Sequence, residues 1–321
     1  MSLVSRLIKA NPSIQVSDVL AGTFTLPSAK GLFDYLPAAR GFFIGGGDGE
    51  GPTTNVIDYV DITTTGNALD WGDLTSSTNT TALASRTRAI AHQSNTFVNY
   101  FTMASLGNAA DFGDMINDGG KAGTASNGTR GIIAGGGGNG GISRIEYLTI
   151  ATLGNGTSFG SMSSNAEQPM GASSPTRGVF GGGYRGAFTT TIDYITTATT
   201  GNAANFGSLT VGRFEHGVAS SSTRGIWAGG YTGSLVNVVD YVTLATTGNA
   251  TDFGDLSGTQ RQVTGCSSEL RALFHRGGPE SRVNVIDYFT IATTGNATDF
   301  GDRSVNFHGA GGTSNAYGGL Q

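Results

Sequence analysis

The sequence predicts an all-β fold made of repeated copies of one small four-stranded unit, and three observations support this. First, the string TGNA or a close relative recurs six times, with intervals of 41, 47, 47, 47 and 47 residues between its glycines. Second, 53 of the 321 residues are glycine, more than twice the usual share of about 7%. Third, no segment sustains the 3.6-residue apolar period of an amphipathic helix. The glycines of the six strings are Gly66, Gly107, Gly154, Gly201, Gly248 and Gly295.

Composition excludes several other classes of protein. Only 13% of residues are charged, the net charge is -5 and 37% are hydrophobic, so the chain does not have the composition of a disordered protein. With 7 prolines and no Gly-X-Y period it is not collagen. No run of ~18 apolar residues predicts a membrane span, no signal peptide is evident, and the charge balance gives no reason to expect nucleic acid. The single cysteine, Cys266, excludes a disulfide framework and a Cys-rich zinc site.

The best-preserved unit, residues 212–256, divides into four short strands with the sequences HGVASSS, TRGIWAGG, NVVDYVTLATT and ATDFGDL. The Gly-Asn step between the last two predicts a two-residue hairpin, because both residue types adopt positive φ at low cost. In the third strand, Val239 and Tyr241 alternate with Val238, Val242 and Leu244, so both faces are apolar. Such strands fit a sheet that neighbouring copies cover on both faces, which is the arrangement in a β-propeller.

Six third-to-fourth-strand hairpins predict six blades, and the C-terminal segment predicts how the ring closes. The stretch NFHGAGGTS at 306–314 repeats the first-strand pattern of EHGVASSS, and it would complete the blade that begins at Arg40 as a clasp. The alternative is a seven-bladed ring in which residues 8–36 supply the missing strands, but these residues lack the DY and GNA elements. We therefore favour six blades of four antiparallel strands over residues 31–321, with residues 1–30 as an N-terminal arm or adaptor.

The repeat unit resembles the kelch repeat of β-propellers. The resemblance rests on an Arg followed by a His (Arg213 and His216), a Gly-Gly pair at 229–230 that closes the second strand, Tyr241 in the third strand and an aromatic residue, Phe253, in the fourth. It implies a kelch-like propeller as the fold.

The ending TGNAxDFGDL resembles propeller repeats in virion proteins of marine and cyanobacterial bacteriophages, over about residues 40–314. The chain departs from kelch blades by carrying Phe where these usually have Trp, which only Trp71 keeps. This resemblance implies a virion protein of the tail or fibre apparatus, assembled in the host cytoplasm. Its expected partners are other virion proteins, bound through the N-terminal arm, and a host-surface glycan or receptor, with no nucleic acid and no membrane insertion.

An Arg and an acidic residue keep a fixed register in most units, and we predict that they form one partly buried ion pair per blade. The Arg precedes the acid by 16 residues in four units and by 18 in the first, while the second unit has Asn99 instead of the acid. A buried carboxylate needs a partner, and a guanidinium can donate two parallel hydrogen bonds to it. The predicted pairs are Arg40–Asp58, Arg130–Glu146, Arg177–Asp193, Arg224–Asp240 and Arg271–Asp287.

The repeated polar residues predict no catalytic, metal or cofactor site. The D-[FW]-G-D pattern offers oxygen ligands of the kind calcium needs, but two units lack its acids, and local Asx-turn capping explains all six copies. None of the four histidines is paired at helical i,i+4 spacing, which argues against zinc. Cys266 lies in a small polar setting typical of a first strand rather than of a copper-linked Tyr-Cys pair. The glycine clusters recur at one position of the unit, which favours a structural role over phosphate binding.

The connections between second and third strands differ in length and content from unit to unit. Variable loops on a fixed scaffold are typical of a binding face, although neutral loop drift would also produce them. Tyr184, Arg185, Phe188 and Tyr231 are the candidate ligand contacts in these loops. We therefore expect a non-enzymatic protein that displays loops for host-surface attachment. The alternatives are a purely structural virion subunit that binds only neighbouring virion proteins, and a propeller enzyme acting on surface polysaccharide.

Overall fold

The computed structural model describes residues 39–47, 52–93, 95–116, 120–138, 140–278 and 283–316. Over these residues the chain forms 24 strands in six four-stranded sheets, with antiparallel pairing throughout. The sheets are the six blades of a β-propeller, so the predicted fold class and the preferred number of blades are confirmed. The compact unit that contains the ring begins at Ala39. The predicted arm at residues 1–30 and its boundary lie outside the described residues.

The six blades share one strand order. Blade 1 contains β1 (Arg40–Gly47), β2 (Thr53–Asp61), β3 (Leu69–Asp73) and the C-terminal β24 (Gly311–Ser314). Blade 2 contains β4 (Thr80–Ala84), β5 (Arg88–Gln93), β6 (Phe97–Thr102) and β7 (Ala110–Asp114). Blade 3 contains β8 (Gly123–Ser126), β9 (Arg130–Ala134), β10 (Ile142–Thr149) and β11 (Thr157–Ala166). Blade 4 contains β12 (Met170–Ser173), β13 (Arg177–Gly181), β14 (Thr191–Thr196) and β15 (Ala204–Ser208). Blade 5 contains β16 (Gly217–Ser220), β17 (Arg224–Ala228), β18 (Val238–Thr243) and β19 (Thr251–Asp255). Blade 6 contains β20 (Thr264–Ser267), β21 (Arg271–His275), β22 (Val285–Thr290) and β23 (Thr298–Asp302).

The ring closes through its C-terminal strand. In blade 1 the strand order is β24-β1-β2-β3, so the last strand of the chain supplies the first strand of the blade that begins at Arg40. β24 pairs antiparallel with β1, and Phe43 lies opposite Gly312. The predicted clasp is confirmed, and all 24 strands belong to six blades. The two ends of the ring are therefore joined by main-chain hydrogen bonds.

The first strands of neighbouring blades contact each other and form the hub. They are short and consist mostly of small residues, because their backbones approach closely. The main-chain N–H of Ser220 donates to Oγ of Ser267 at 3.1 Å, and that Oγ donates back to the carbonyl of Ser220 at 2.7 Å. A Cβ atom added at Gly265 would clash with the carbonyl of Val218. Cys266 lies in β20, so its predicted first-strand position is confirmed.

The hydrophobic core lies between blades. Ile226, Val239 and Phe253 of blade 5 pack in one cluster with Phe274 and Phe289 of blade 6. Each of these side chains is at most 3% exposed, and burial of such a side chain contributes about 1.5–3 kcal/mol relative to its exposed state. The third strand is apolar on both faces because neighbouring blades cover each sheet on two sides, as the sequence predicted.

The Gly-Asn element does not form the predicted two-residue hairpin. In blade 5 the connection between β18 and β19 spans residues 244–250, and its Gly-Asn-Ala part leaves its own blade to contact blade 4. Gly248 N–H donates to the carbonyl of Phe206 at 2.8 Å, and Ala250 N–H donates to that of Ser208 at 2.8 Å. The side-chain Oδ1 of Asn249 accepts a hydrogen bond from Ser208 N–H at 3.1 Å. The prediction was wrong because it considered only pairing within the repeat.

This Gly-Asn interblade contact recurs at all six interfaces, including the one that closes the ring. The Asn side chain always accepts from the main-chain N–H at the end of the aromatic-Gly-Asp or aromatic-Gly-Ser step of the preceding blade. Capping by a side chain was predicted for these steps, but the capping residue is the Asn of the next blade. The pairs, with N···Oδ1 distances of 3.0–3.1 Å, are Asp73–Asn108, Asp114–Asn155, Ser161–Asn202, Ser208–Asn249, Asp255–Asn296 and Asp302–Asn67.

Replacement of Gly113 by alanine tests the interblade contact. Gly113 has a φ of +139°, and an added Cβ would lie 2.7 Å from the carbonyl oxygen of Gly154 in the next blade. Because the variant combines backbone strain with a steric clash, we expect the free energy of unfolding to fall by about 2–4 kcal/mol in urea titrations.

The matched control is Gly201→Ala, in a Gly-Asn connection where an added Cβ would meet nothing within 4 Å. This variant should lose less than about 1 kcal/mol of unfolding free energy. Equal losses in the two variants would contradict the role assigned to the interblade contact.

Candidate functional site

The second-to-third-strand connections lie at one end of the propeller, together with the connections that lead from one blade to the next. Isolated β-bridges join the two kinds of connection: Tyr184 pairs with Glu167, and Tyr231 pairs with Phe214. We call this end the loop face. The turns between first and second strands and the Gly-Asn connections lie at the other end, because strands alternate in direction along each blade.

Three of the four predicted contact residues come together on the loop face of blades 4 and 5. Tyr184, Phe188 and Tyr231 surround Phe214, and all four rings are half-buried. Phe188 and Phe214 are stacked, with centroids 5.4 Å apart and an interplanar angle of 24°, while Phe188 and Tyr231 meet edge to face at 5.7 Å. Such contacts stabilise each aromatic pair by about 0.5–1.5 kcal/mol beyond burial. We call these four residues the aromatic cluster.

Phe214 was missed at the sequence level as a site residue. It lies in the RFEH stretch, which was assigned by resemblance to the start of a blade. The structure places it before β16, in the connection from blade 4, where it bridges to Tyr231. An aromatic residue directly after the register Arg213 was the available signal.

A polar group borders the aromatic cluster on the side of blade 6. The guanidinium of Arg261 lies over the ring of Tyr231 at 5.4 Å, and its Nη1 is 3.4 Å from Oε2 of Glu215. Oε1 of Glu215 accepts a hydrogen bond from Nε2 of Gln262 at 3.1 Å. Glu215 and Gln262 have φ values of 55° and 56°, a region that non-glycine residues rarely adopt. The cluster therefore combines apolar rings with a guanidinium whose charge is balanced by a carboxylate.

Arg185 does not join the aromatic cluster as a free cation. Its Nη2 donates to Oδ2 of Asp193 at 2.8 Å, and its Nη1 donates to Oγ of Ser163 and Ser164, each at 2.9 Å. Its side chain is 8% exposed. Arg185 thus holds its loop against the blade, and the aromatic rings are the better candidates for ligand contact.

The predicted ion pairs between register Arg and repeated acid are wrong. Arg224 lies opposite Thr243, whereas Asp240 lies opposite Trp227, three positions further along β17. Three residues of a strand span about 10 Å, so the two groups are at opposite ends of the blade. The constant spacing of the two residues in the sequence shows that both belong to the repeat, but it does not show which side chains are in contact. The same offset separates Arg177 from Asp193 and Arg271 from Asp287, and the predicted pairs Arg40–Asp58 and Arg130–Glu146 are likewise offset.

Each register Arg instead contacts a tyrosine of its own blade and the main chain of the next one. Arg224 lies over the ring of Tyr241 at 4.7 Å, and its Nη1 donates to the carbonyl of Ile291 in blade 6 at 2.7 Å. A cation over an aromatic face is stabilising, and the hydrogen bond adds a second connection between blades. The other main-chain acceptors are Met103 for Arg40, Ile150 for Arg88, Ala198 for Arg130, Leu244 for Arg177 and Thr63 for Arg271.

The repeated acids are buried under the loop face and paired with other arginines. Asp240 accepts from Nη2 of Arg213 at 3.0 Å and from the main-chain N–H of Thr210 at 3.2 Å. Both donors belong to the connection from blade 4 to blade 5. The remaining acid pairs are Arg303–Asp58 at 2.9 Å, Arg185–Asp193 at 2.8 Å, Arg276–Asp287 at 3.0 Å and Arg144–Glu146 at 3.7 Å. In blade 2 the acid is replaced by Asn99, whose Oδ1 accepts from the uncharged Nε2 of Gln93 at 3.0 Å and from the hydroxyl of Thr75 at 2.7 Å.

Burial shifts the ionisation of groups around these pairs. Burial lowers the pKa of the Arg213 guanidinium, and the adjacent Asp240 carboxylate opposes this shift. Burial also lowers the pKa of His216 well below its usual range, with nearby Arg213 adding to the effect. For His275 the same causes apply, with Arg303 as the nearby cation. Burial raises the pKa of the Cys266 thiol, so this cysteine is not a reactive thiolate.

Among the described residues, no group of three or more His, Cys, Asp and Glu side chains is arranged to hold a metal ion. The part of the chain that the structure describes also contains no helix long and apolar enough to cross a membrane. The chain matches no protein-family model, and it matches no curated protein at a significant level.

A double-mutant cycle distinguishes the observed acid partner from the one expected by register. We expect Arg213→Met and Asp240→Asn to show a coupling of about 2 kcal/mol in unfolding free energy, because the two groups form a buried pair. Arg224→Met with Asp240→Asn should be additive within about 0.5 kcal/mol. Strong coupling in the second cycle, or none in the first, would contradict the observed pairing.

Acid pH should destabilise the ring through its buried histidines. The folded-state pKa values of His216 and His275 lie below the unfolded value of 6.5, so protons bind preferentially to the unfolded state below that pH. The free energy of unfolding should therefore fall as pH drops below about 6.5, by up to about 1.4 kcal/mol per pH unit for each histidine. Urea titrations at pH 7.5, 6.0 and 5.0 measure this slope. In His216→Gln the slope below pH 6.5 should be smaller, and an unchanged slope would contradict the assignment.

Proposed function

We propose that this chain is a non-enzymatic bacteriophage virion protein of the tail or fibre apparatus, and that its loop face binds a host-surface glycan. The observation that carries the binding function is the aromatic cluster on the loops of two adjacent blades. Exposed ring faces and edges bind the apolar faces of sugars by burying surface that water solvates poorly. The proposed virion context rests on the resemblance of the TGNAxDFGDL ending to phage propeller repeats.

The way the loops are held supports a binding role. Tyr184 is bridged to Glu167 and to Phe188, and Tyr231 is bridged to Phe214 and to Leu235. Arg185 fixes the first of these loops to the buried Asp193. Side chains that are positioned before the ligand arrives lose little conformational entropy on binding. Because copies in one particle would be presented together, even a weak contact per copy would give strong attachment.

Removal of the tyrosine rings tests the binding function. We expect the Tyr184→Ala/Tyr231→Ala double variant to bind host cells and a glycan panel at least tenfold more weakly than the unaltered protein, because the rings provide the apolar contact area. Labelled protein and flow cytometry measure cell binding, and circular dichroism verifies that the variant is folded.

The control is Leu106→Thr/Leu153→Thr, at the opposite end of the propeller. These leucines are 64% and 58% exposed, and Thr occupies their position in the other four blades, so the change should leave both folding and glycan binding unaltered. Equal binding by the tyrosine variant and the control would contradict the proposal. Release of reducing sugar or of peroxide by the unaltered protein would favour the enzyme alternative.

The same two leucines favour a second candidate function, that of a structural subunit docked to a neighbouring virion protein. Apolar residues at equivalent exposed positions of adjacent blades, where Thr suffices elsewhere, suggest a covered surface. If this function applies, Leu106→Thr/Leu153→Thr should reduce incorporation into particles, as measured by immunogold labelling, without changing glycan binding. Failure to detect the protein on purified particles would contradict both candidates.

A further inference from the structure

Blade 3 departs from the other blades at its outer edge. Its fourth strand, β11, has 10 residues, whereas the fourth strands of the other five blades have 5. The pairing of β10 with β11 shifts register twice, and one shift leaves residues 162–165 as a bulge opposite Ser143. An open groove of about 520 Å³ lies there, with Arg144, Ser158, Ser161 and Asn165 among its lining residues. Bulges of this kind often occur beside binding sites.

One cross-strand pair that lines this groove differs between blade 3 and the other five blades. In each blade, the third-strand residue two positions before the repeated acid (or Asn99) lies opposite the fourth-strand residue that ends the aromatic-Gly-Asp or aromatic-Gly-Ser step. The six cross-strand pairs are Val56–Asp73, Phe97–Asp114, Arg144–Ser161, Thr191–Ser208, Val238–Asp255 and Val285–Asp302. Only blade 3 has a cation in the first position, and it has lost the carboxylate in the second.

The residue opposite Arg144 therefore carries no charge to neutralise it. Directly opposed residues of an antiparallel pair project to the same side, so the usual Asp in place of Ser161 would have neutralised Arg144. Instead the Arg144 side chain is 41% exposed, and its ion-pair partner is Glu146, with Nη1 3.7 Å from Oε1. Oε2 of that glutamate accepts a hydrogen bond from Ile116 N–H at 2.9 Å. Glu146 therefore forms an ion pair with Arg144 at a distance longer than a hydrogen bond.

Polar side chains line the groove, and an arginine of blade 4 holds its bulge in place. Ser158, Ser161 and Asn165 line the groove together with Arg144 and carry hydroxyl and amide donors. The bulge that carries Asn165 is held by Nη1 of Arg185, which donates to Oγ of Ser163 and Ser164 at 2.9 Å. A guanidinium with neighbouring hydroxyls is the donor set that recognises carboxylate, sulfate and phosphate groups.

We infer that the outer groove of blade 3 binds an oxyanion, held by Arg144 with the side chains of Ser158, Ser161 and Asn165. The ligand is a carboxylate or sulfate group, carried by an acidic saccharide or present as a free anion. This site is separate from the aromatic cluster and uses no residue of it. Its existence does not depend on the virion context or on glycan binding at the loop face.

Calorimetric titration of the full chain tests this inference with three probes: sodium sulfate, an oligosaccharide of four uronic acids and a neutral glucose tetrasaccharide. We expect one of the two acidic probes to bind saturably and the neutral probe not to bind. Arg144→Val should weaken the acidic probe at least tenfold, because it removes the charged donor. This variant should fold, since Val is the natural residue at the same position in blades 1, 5 and 6. Binding should also weaken as the ionic strength rises.

Two further variants complete the experiment. Ser161→Asp introduces the carboxylate that four of the other five blades carry at this position, and it should also weaken the acidic probe at least tenfold through charge repulsion. Arg86→Val removes an exposed arginine from a turn of blade 2 and should leave binding unchanged. Saturable binding of sulfate alone identifies a free-anion site, and binding of the uronic acid probe alone identifies an acidic-saccharide site. The inference is overturned if neither acidic probe saturates, or if Arg144→Val binds as tightly as the unaltered protein.

Discussion

The contact between the Gly-Asn connection of one blade and the fourth strand of the blade before it is the interaction on which the ring depends. A fourth strand such as β19 buries only one aromatic side chain, Phe253, against the core, so apolar burial alone holds it weakly. The next blade covers its edge with two main-chain hydrogen bonds and one asparagine side chain. The glycine of each aromatic-Gly step permits this approach, because a Cβ there would overlap the neighbouring main chain. Because this contact repeats around the closed ring, each of the six described fourth strands has hydrogen-bond partners from the next blade at its edge.

Two further sets of interactions also connect neighbouring blades, one at each end of the propeller. At one end, register arginines such as Arg224 reach over a tyrosine to a carbonyl of the next blade. Beneath the loop face, buried acids such as Asp240 hold the connection that enters their blade. Each buried acid has a nearby arginine, and the blade with Asn99 uses a neutral glutamine. The described acids beneath the loop face are therefore charge-balanced and hold the connections above them, which is the physical basis for assigning binding to side chains such as Tyr184 and Tyr231. In the outer groove of blade 3, Arg144 pairs with Glu146 and also lies opposite Ser161.

The predictable features were those that a repeat determines by itself. The spacing of 47 residues, the apolar character of both faces of VVDYVTL and the first-strand pattern at 306–314 predicted the ring, the burial of each sheet and the clasp. The wrong predictions were those that assigned a partner within the repeat. Asn249 was placed in a hairpin, although its partner lies in the preceding blade. Asp240 was paired with Arg224 because both recur in register, although pairing of the strands separates them by three positions.

Sequence by itself determined that this protein is a closed ring of similar four-stranded units, because glycine positions and alternating apolar residues are local requirements of each strand and turn. Only the tertiary structure decided which residues act together. Hydrogen bonds and ion pairs between blades join residues at sequence separations from about 30 to more than 200, as with Asn249 and Ser208 or Asp58 and Arg303. Closer in the chain, the partners of Phe214 in the aromatic cluster and of Arg144 opposite Ser161 were likewise shown only by the structure. Such neighbours are set by the stacking of blades and the register of strands, which no single repeat encodes alone.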